Sequence, residues 1–354
     1  VNDVSLSADA VLRDAVRMIE QSRKAIAVIV NDEGRLLGTI TDGDIRRALL
    51  AGYGMEDPVT TAMNSDPIVG EASMADSYLL DLLYDRGLEA LPLLDVQGRL
   101  KRVVHISDLV SDKTSGGGEG FCAAVIMAGG EGRRLLPLTE KLPKPMVDVG
   151  GMPLIESQVR RLAKAGIHKV YIAVNYLSHM IEDHFGDGNN MDISIDYLRE
   201  EKKLGTAGAL SLLPEPPTGP LMVINGDVLT NSDYRHLFNY HREHQAVMTV
   251  AAIDHRIEIP YGVLHTQGVS ATRLEEKPAQ HFLCNAGIYV VEPKLIATIP
   301  RETFFNMTDL IEQCIQNKKE VAVFPIHEYW TDIGTPADLQ KARETVRYWE
   351  HTSG

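Results

Sequence analysis

The chain is poor in cysteine, short of positive charge and without long apolar runs. Its three cysteines, Cys122, Cys284 and Cys314, are isolated, odd in number and without a CxxC spacing, so neither a disulfide framework nor a zinc site is expected. No segment approaches the roughly 18 consecutive apolar residues that a membrane-spanning helix needs. Lys and Arg together number 35 against 49 Asp and Glu, a formal net charge of −14. Broad binding to nucleic acid or to anionic membranes, which calls for basic stripes, is therefore not expected. The opening VNDVSLSADAVLRDAV also lacks the charged-then-apolar order of a signal peptide. A reducing, cytoplasmic setting is the expectation. The 354 residues are enough for two domains with full cores, and 44% apolar with 24% charged residues is ordinary for a globular protein.

What the chain does have is concentrated between Ala123 and Pro153, where an apolar strand, AAVIMAGG, runs straight into EGRRLLPLTEKLPKPMVDVGGMP. Gly129, Gly130 and Gly132 carry no side chain, so the backbone N–H groups of this loop are free to approach phosphate oxygens. Arg133, Arg134 and Lys144 follow within the same short segment, and Pro137, Pro143 and Pro145 stiffen the path that returns Lys144 toward the loop. The combination is suited to holding a polyphosphate. It is not a Walker A loop, which needs Lys and then Ser or Thr after its last glycine. Nor is it a dinucleotide fingerprint, because Leu135 stands where the third glycine would allow close helix packing. An acidic protein that handles triphosphates must neutralise them locally, with a few cations and a divalent metal.

The polar, glycine-dense segment SDKTSGGGEG (111–120) reads as a linker. Before it lies an internal repeat with an offset of about 64 residues, seen when VIVNDEGRLLGTITDGDI (28–45) is laid over PLLDVQGRLKRVVHISDL (92–109). Gly34, Arg35, Leu36 and Asp44 fall on Gly98, Arg99, Leu100 and Asp108. An amphipathic helix is expected upstream of each copy, at Val11–Ile19 and Ala75–Leu83. After the linker the pattern predicts strands at Ala123–Ala128, Lys169–Val174, Ile193–Leu198, Leu221–Asn225, Val247–Ala252 and Gly287–Val291. Helices are expected at Leu154–Ala165, Ser178–His184, Ala207–Leu213 and Tyr234–Glu243. Such alternation implies an α/β fold, a Rossmann-like mixed, mostly parallel sheet with ligands at the carboxyl ends of its strands.

The runs GGEGRRLLPLT (Gly129–Thr139) and LPKPM (Leu142–Met146) resemble the signature of the sugar-1-phosphate nucleotidyltransferases. The resemblance continues through LGTAGAL (Leu204–Leu210), NGD (Asn225–Asp227), EKP (Glu276–Pro278), NAGIY (Asn285–Tyr289) and WTDIGTP (Trp330–Pro336), and covers about residues 121–347. It departs from the family at Arg133, where Thr or Ser is usual. Each N-terminal repeat resembles a CBS motif, an α+β unit, and two such motifs form a tandem module. The organisation expected is a CBS pair over 1–112, with repeats at about 1–57 and 58–112, a linker over 113–120 and a nucleotidyltransferase domain over 121–354.

The resemblance implies that an oxygen of a sugar 1-phosphate attacks the α-phosphorus of a nucleoside triphosphate and that pyrophosphate leaves. It implies Arg134 and Lys144 as the catalytic cations, Asp227 and Asp332 as ligands of Mg²⁺, and Gly129, Gly130, Gly132, Gly205, Thr206 and Gly208 as the nucleotide-binding set. A threonine such as Thr206 is also a helix N-cap type, and the two roles are compatible. Glu276, Lys277, Asn285 and Gly287 are implied on the sugar-phosphate side. In the CBS pair, TDGD with Thr41 and Asp44 matches an adenosine-binding tail, whereas the second copy keeps Asp108 but has His105 in place of Thr41. KPM with LGTAGAL is closest to guanylyltransferases acting on mannose-like, heptose or glucosamine 1-phosphates, supplying surface glycans. GTP is therefore the favoured donor, with UTP, CTP and dTTP as alternatives, and a homo-oligomer is expected. A different class, a CBS nucleotide sensor with a degenerate transferase domain, would be expected to lack at least one of Asp227, Asp332, Arg134 and Lys144. All four are present.

Overall fold

A computed structural model describes residues 4–22, 24–109 and 120–352. Contacts divide the chain into two compact units, residues 1–117 with 254–284 and residues 118–253 with 285–354. The glycine-dense segment 111–119 lies outside the described residues.

In the first unit the repeat has become two like sheets. The first copy comprises β1 (Ser5–Ser7), α1 (Leu12–Ser22), β2 (Ile26–Val30), β3 (Leu36–Thr41) and α2 (Asp42–Leu50). The second comprises β4 (Gly70–Glu71), α3 (Asp76–Arg86), β5 (Ala90–Leu94), β6 (Leu100–His105) and α4 (Ile106–Leu109). Each sheet has a parallel outer pair and an antiparallel hairpin, and the register keeps the repeat's offset: Ile26 faces Thr41 and Ala90 faces His105. The alternation along β2 sorts its side chains, because successive residues of a strand point to opposite faces. Ala27 and Ile29 join Leu12, Ile40 and Ile45 in the core of the first copy. Ile26 and Val28 face the other way and meet Ala90 and Val103 of the second copy. Burying a residue such as Ile29 stabilises the fold by about 1.5–3 kcal/mol. At the hairpin tips Leu36 N–H donates to Gly98 O and Leu100 N–H donates to Gly34 O, both at 3.1 Å. Gly34 and Gly98 both have φ of +74°, a conformation that favours glycine.

The second unit is built on a seven-stranded sheet. Its strands are β7 (Ala123–Met127), β8 (Lys169–Val174), β9 (Ser194–Arg199), β10 (Leu221–Asn225), β12 (Met248–Glu258), β15 (Ala279–Val291) and β16 (Val321–Ile326). A short ribbon, β11 (Val228–Thr230) with β17 (Trp330–Asp332), completes its strand set; another, β13 (Val263–Gln267) with β14 (Ser270–Glu275), falls in the segment 254–284 of the first unit. The sheet order is β16-β12-β15-β10-β7-β8-β9; β10, β7, β8 and β9 run parallel, and β15 is antiparallel to β10. The sheet is mixed and mostly parallel, as the sequence predicts. β12 and β15 are longer than their apolar cores, since both continue into the segment 254–284 that groups with the first unit.

Strand β7 lies between β10 and β8 and is buried on both faces, which is why it reads as a continuous apolar run. Ala124 and Ile126 meet α5 (Leu154–Lys164) through Ile155, Val159 and Leu162, while Ala123 and Val125 share the opposite core with Met307 and Leu310. α5 ends in a Schellman-type turn: Gly166 has φ of +86°, and Ile167 N–H donates to Leu162 O at 3.0 Å. Among the described residues, no helix is long and apolar enough to cross a membrane.

Candidate active site

The loop after β7 turns at Gly132, whose φ is +65°. A side chain there would sit 2.8 Å from Lys144 Cβ and 2.9 Å from Thr139 Cγ2, so glycine is required by both conformation and space. Thr139, almost fully buried, fixes the turn by donating from its hydroxyl to Gly132 O at 2.8 Å. Gly130 faces open space. This leaves the loop backbone accessible, as phosphate binding needs.

The loop forms one wall of a cleft of about 440 Å³ at the C-terminal edge of β7 and β10. Its lining unites several residues singled out in the sequence: Gly129, Gly130, Gly132, Arg133, Arg134, Lys144, Gly205, Thr206 and Asp227. Lys144, whose side chain is only 11% exposed, donates to Asp227 Oδ2 at 2.5 Å. Asp227 follows Gly226, and a Cβ at Gly226 would lie 2.6 Å from Met127 O; the chain can therefore pass this close to β7 only as glycine. Asp332 reaches the same edge through β17, where it pairs with Val228, and Ile333 N–H donates to Asp227 O at 2.8 Å. The Asp332 carboxylate and the Arg134 guanidinium flank Gly334, at 3.1 and 3.3 Å from where its Cβ would stand.

Gln158, absent from the sequence-based set, holds this edge together. It is 2% exposed, and its amide nitrogen donates to Asn225 O at 2.9 Å and to Val228 O at 2.7 Å, on either side of Gly226 and Asp227. Its signal was in the sequence, since Gln158 falls on the apolar stripe of α5 formed by Ile155, Val159 and Leu162. Gln158→Leu would leave two carbonyls without their buried donor and is expected to lower stability by about 2 kcal/mol. Urea unfolding measures this; an unchanged midpoint would show that the clamp contributes nothing.

The opposite wall is the stretch 204–208. Gly205, with φ of +79°, begins the short helix α6 (Gly205–Gly208), and a Cβ on it would lie 2.7 Å from Phe305 O. Ala207 and Gly208 N–H groups donate to Phe305 O, and Phe305 N–H donates back to Leu204 O. Thr206 does not cap its own helix, because that helix starts one residue earlier. Its hydroxyl instead accepts from Met307 N–H at 2.9 Å, at the start of α7 (Met307–Gln316). Phe304 and Asn306 thereby enter the cleft, from a segment that no motif marked.

Glu200 is a further lining residue that the sequence reading missed. Its Oε2 accepts from Leu204 N–H at 2.8 Å, and its Oε1 lies 3.0 Å from where a Cβ on Gly129 would stand. Burial pushes its carboxyl above the usual carboxylate range, opposed by the Leu204 N–H.

Hard oxygen donors suited to a divalent cation occupy neighbouring backbone positions. They are the Asp227 carboxylate, Asp332 across the ribbon, and the buried Oδ1 of Asn225, which has no hydrogen-bond partner. A cation, the Lys144 ammonium, already stands against Asp227. These residues fit a metal.

Of the sugar-side set, Asn285 uses its Oδ1 to accept from Gly287 N–H at 2.9 Å. Gly287 has φ of +70°, and a Cβ on it would collide with the Asn225 side chain at 2.6 Å. Glu276 and Lys277 belong to the segment 254–284 of the first unit, where Glu276 Oε2 lies 3.0 Å from where a Cβ on Gly262 would stand and Lys277 has φ of +46°. The cleft above is built from the second unit alone.

In the first unit Thr41 is the N-cap of α2. Its hydroxyl donates to Asp44 Oδ2 at 2.7 Å, and a reciprocal capping box joins the two residues. Burial pushes the Asp108 carboxyl up, but Lys24 Nζ and His105 N–H, which both donate to it, together outweigh burial and hold it below the usual carboxylate range. The i, i+3 relation of the cap survives in the second copy although the threonine does not.

The nucleotidyl transferase family model matches residues 123–348, and the CBS domain model matches residues 1–51. A mannose-1-phosphate guanyltransferase of Candida albicans is 34% identical over 237 residues, covering 61% of this chain and 62% of that protein. A mannose-1-phosphate guanylyltransferase of Mycobacterium tuberculosis is 31% identical over 226 residues, with coverage of 61% and 62%. The chain thus spans about six tenths of the length of these relatives. A candidate glucose-1-phosphate thymidylyltransferase from Bacillus anthracis, solved with sucrose, superposes with a TM-score of 0.52 at 24% identity, over 64% of this chain and 95% of that one. This last likeness shows the fold alone. Nucleotidyl transferases of this kind generally use a divalent metal. With the glycine loop and the Lys144–Asp227 pair both lying within the matched residues 123–348, the chain belongs to the nucleotidyl transferase family and carries a CBS domain at residues 1–51.

Proposed function

We propose that the chain transfers the guanylyl group of GTP to a mannose-like sugar 1-phosphate, giving a GDP-sugar and pyrophosphate for glycan synthesis in the cytoplasm. The observation that carries the reading is the presence, in one cleft, of the Lys144–Asp227 pair beside a glycine loop and of Glu200 beside the 204–208 stretch. Guanine presents two adjacent N–H donors on its Watson–Crick edge, and a half-buried carboxylate accepts both. Uracil and thymine present a single N–H between two carbonyls, which a carboxylate repels. Glu200 therefore favours the guanine base.

The loop amides receive the outer phosphates, Arg134 neutralises them, and Lys144 moves from Asp227 to an α-phosphate oxygen. The sugar-phosphate oxygen attacks the α-phosphorus in line, that P–O bond forms, and the bond to the departing pyrophosphate breaks; no protein nucleophile is required. Asp227 and Asp332 would hold Mg²⁺, preferred by all-oxygen ligation, which when bound offsets phosphate charge. Asn285 and Gly287 bound the sugar side by this reading. The test is pyrophosphate release with Mg²⁺, crossing GTP, UTP, CTP and dTTP with several sugar 1-phosphates. GTP with mannose 1-phosphate should be the best pair. Release with none would end the enzyme reading, and a preference for UTP or dTTP would end the guanine assignment.

Nucleotide regulation through Thr41 and Asp44 belongs to the same proposal. Ribose hydroxyls would exchange for the capping bonds of α2. Calorimetric titration of the full chain with AMP, which lacks the outer phosphates that the cleft takes, should give heat that Asp44→Asn removes. Heat unchanged in that variant would exclude the site.

A further inference from the structure

Arg133 and Lys203 line the cleft but have no part in the steps above. They approach it from different walls, Arg133 on the turn after Gly132 and Lys203 on the stretch before Gly205. One carboxylate holds both: Arg133 Nε donates to Glu131 Oε2 at 2.7 Å, and Lys203 Nζ donates to Glu131 Oε1 at 2.5 Å. Their side chains are 80% and 60% exposed. Lys203 and then Arg133 keep the Glu131 carboxyl below the usual carboxylate range.

We propose that Arg133 and Lys203 are the cations for the leaving pyrophosphate, stored on Glu131 in the free protein and transferred to the terminal phosphates when a triphosphate enters. The proposal rests on the polyphosphate reading of the cleft. A bound triphosphate brings several negative charges into a protein whose net charge is already −14. Lys144, held by Asp227 in the free protein, is taken up by the α-phosphate, and Arg134, beside Asp332, is left alone to offset the outer phosphates. Exposed ion pairs such as those of Glu131 contribute little and are readily exchanged. Phosphate offers more charge and, to arginine, a bidentate match that a single carboxylate oxygen does not. When pyrophosphate departs, Glu131 takes the two cations back, which lowers the barrier to release.

Titration of the full chain with inorganic pyrophosphate and Mg²⁺ tests this without base or sugar, so a wrong donor assignment leaves the result intact. Arg133→Gln and Lys203→Gln should each weaken pyrophosphate binding about tenfold. Glu131→Gln should tighten it, because a competitor for both cations is gone. Unchanged binding in Arg133→Gln would overturn the proposal, as would no pyrophosphate binding by the unaltered chain. Weakened binding in Glu131→Gln would also overturn it, since the carboxylate would then be only a prop between two loops. Arg133 and Lys203 are largely solvent-facing and the Glu131 side chain is 29% exposed, so none of the three is a core residue and the variants should fold.

Discussion

Asp227→Asn is expected to lower turnover by about a thousandfold while leaving the fold intact. The amide keeps the shape of the carboxylate but loses the charge that both a divalent ion and the Lys144 ammonium require. The fold should persist because the structural bond of this residue is made by its backbone, Asp227 O accepting from Ile333 N–H. The variant should also need more Mg²⁺ to reach half its residual rate. Single-turnover rates across a Mg²⁺ series are the measurement, with thermal unfolding as the control. Full activity at ordinary Mg²⁺ would remove Asp227 from the metal site.

The second large effect concerns the base. Glu200→Gln replaces two acceptors by one acceptor and one donor, a pattern that meets one guanine N–H and repels the other. A site built to bond a polar edge discriminates strongly when that match is broken, so kcat/KM for GTP should fall about a hundredfold relative to UTP or dTTP. The pH profile supplies an independent check. Burial raises the pKa of Glu200, and guanine's N–H groups bind only the carboxylate. GTP affinity should therefore decline, as pH falls, at a higher pH than an ordinary carboxylate would give. Glu200→Gln should flatten that acid limb. If the GTP preference and the acid limb both survive, Glu200 does not read the base.

Much of this site was legible along the chain because its chemistry is local. The glycines, Arg134 and Lys144 lie in one short segment, and Asp227 ends an apolar strand that belongs beside β7. Other parts depend on contacts between distant segments. Phe304 and Asn306 line the cleft because Phe305 is bonded to the 204–208 stretch, a pairing that no local pattern specifies. Glu200 and Glu201 look alike in sequence; only the turn after β9 decides which one bonds Leu204 N–H. Gln158 did leave a trace, a polar residue on an apolar helical stripe, but its partners lie some seventy residues away on the chain. The ribbon of β13 and β14 was not anticipated, because its residues are mostly exposed and lack the buried periodicity that marks a core strand.

The reciprocal bonds at Gly34 and Gly98 bear on how the N-terminal repeats can change. Each copy covers part of the other's sheet margin, and Ile26 and Val28 need Ala90 and Val103 to shield them from water. A single copy released by proteolysis or deletion would bare a strand margin and an oily face together, which invites self-association. The second copy has lost the threonine of the first. It can still not be discarded, since its partner's solubility depends on it.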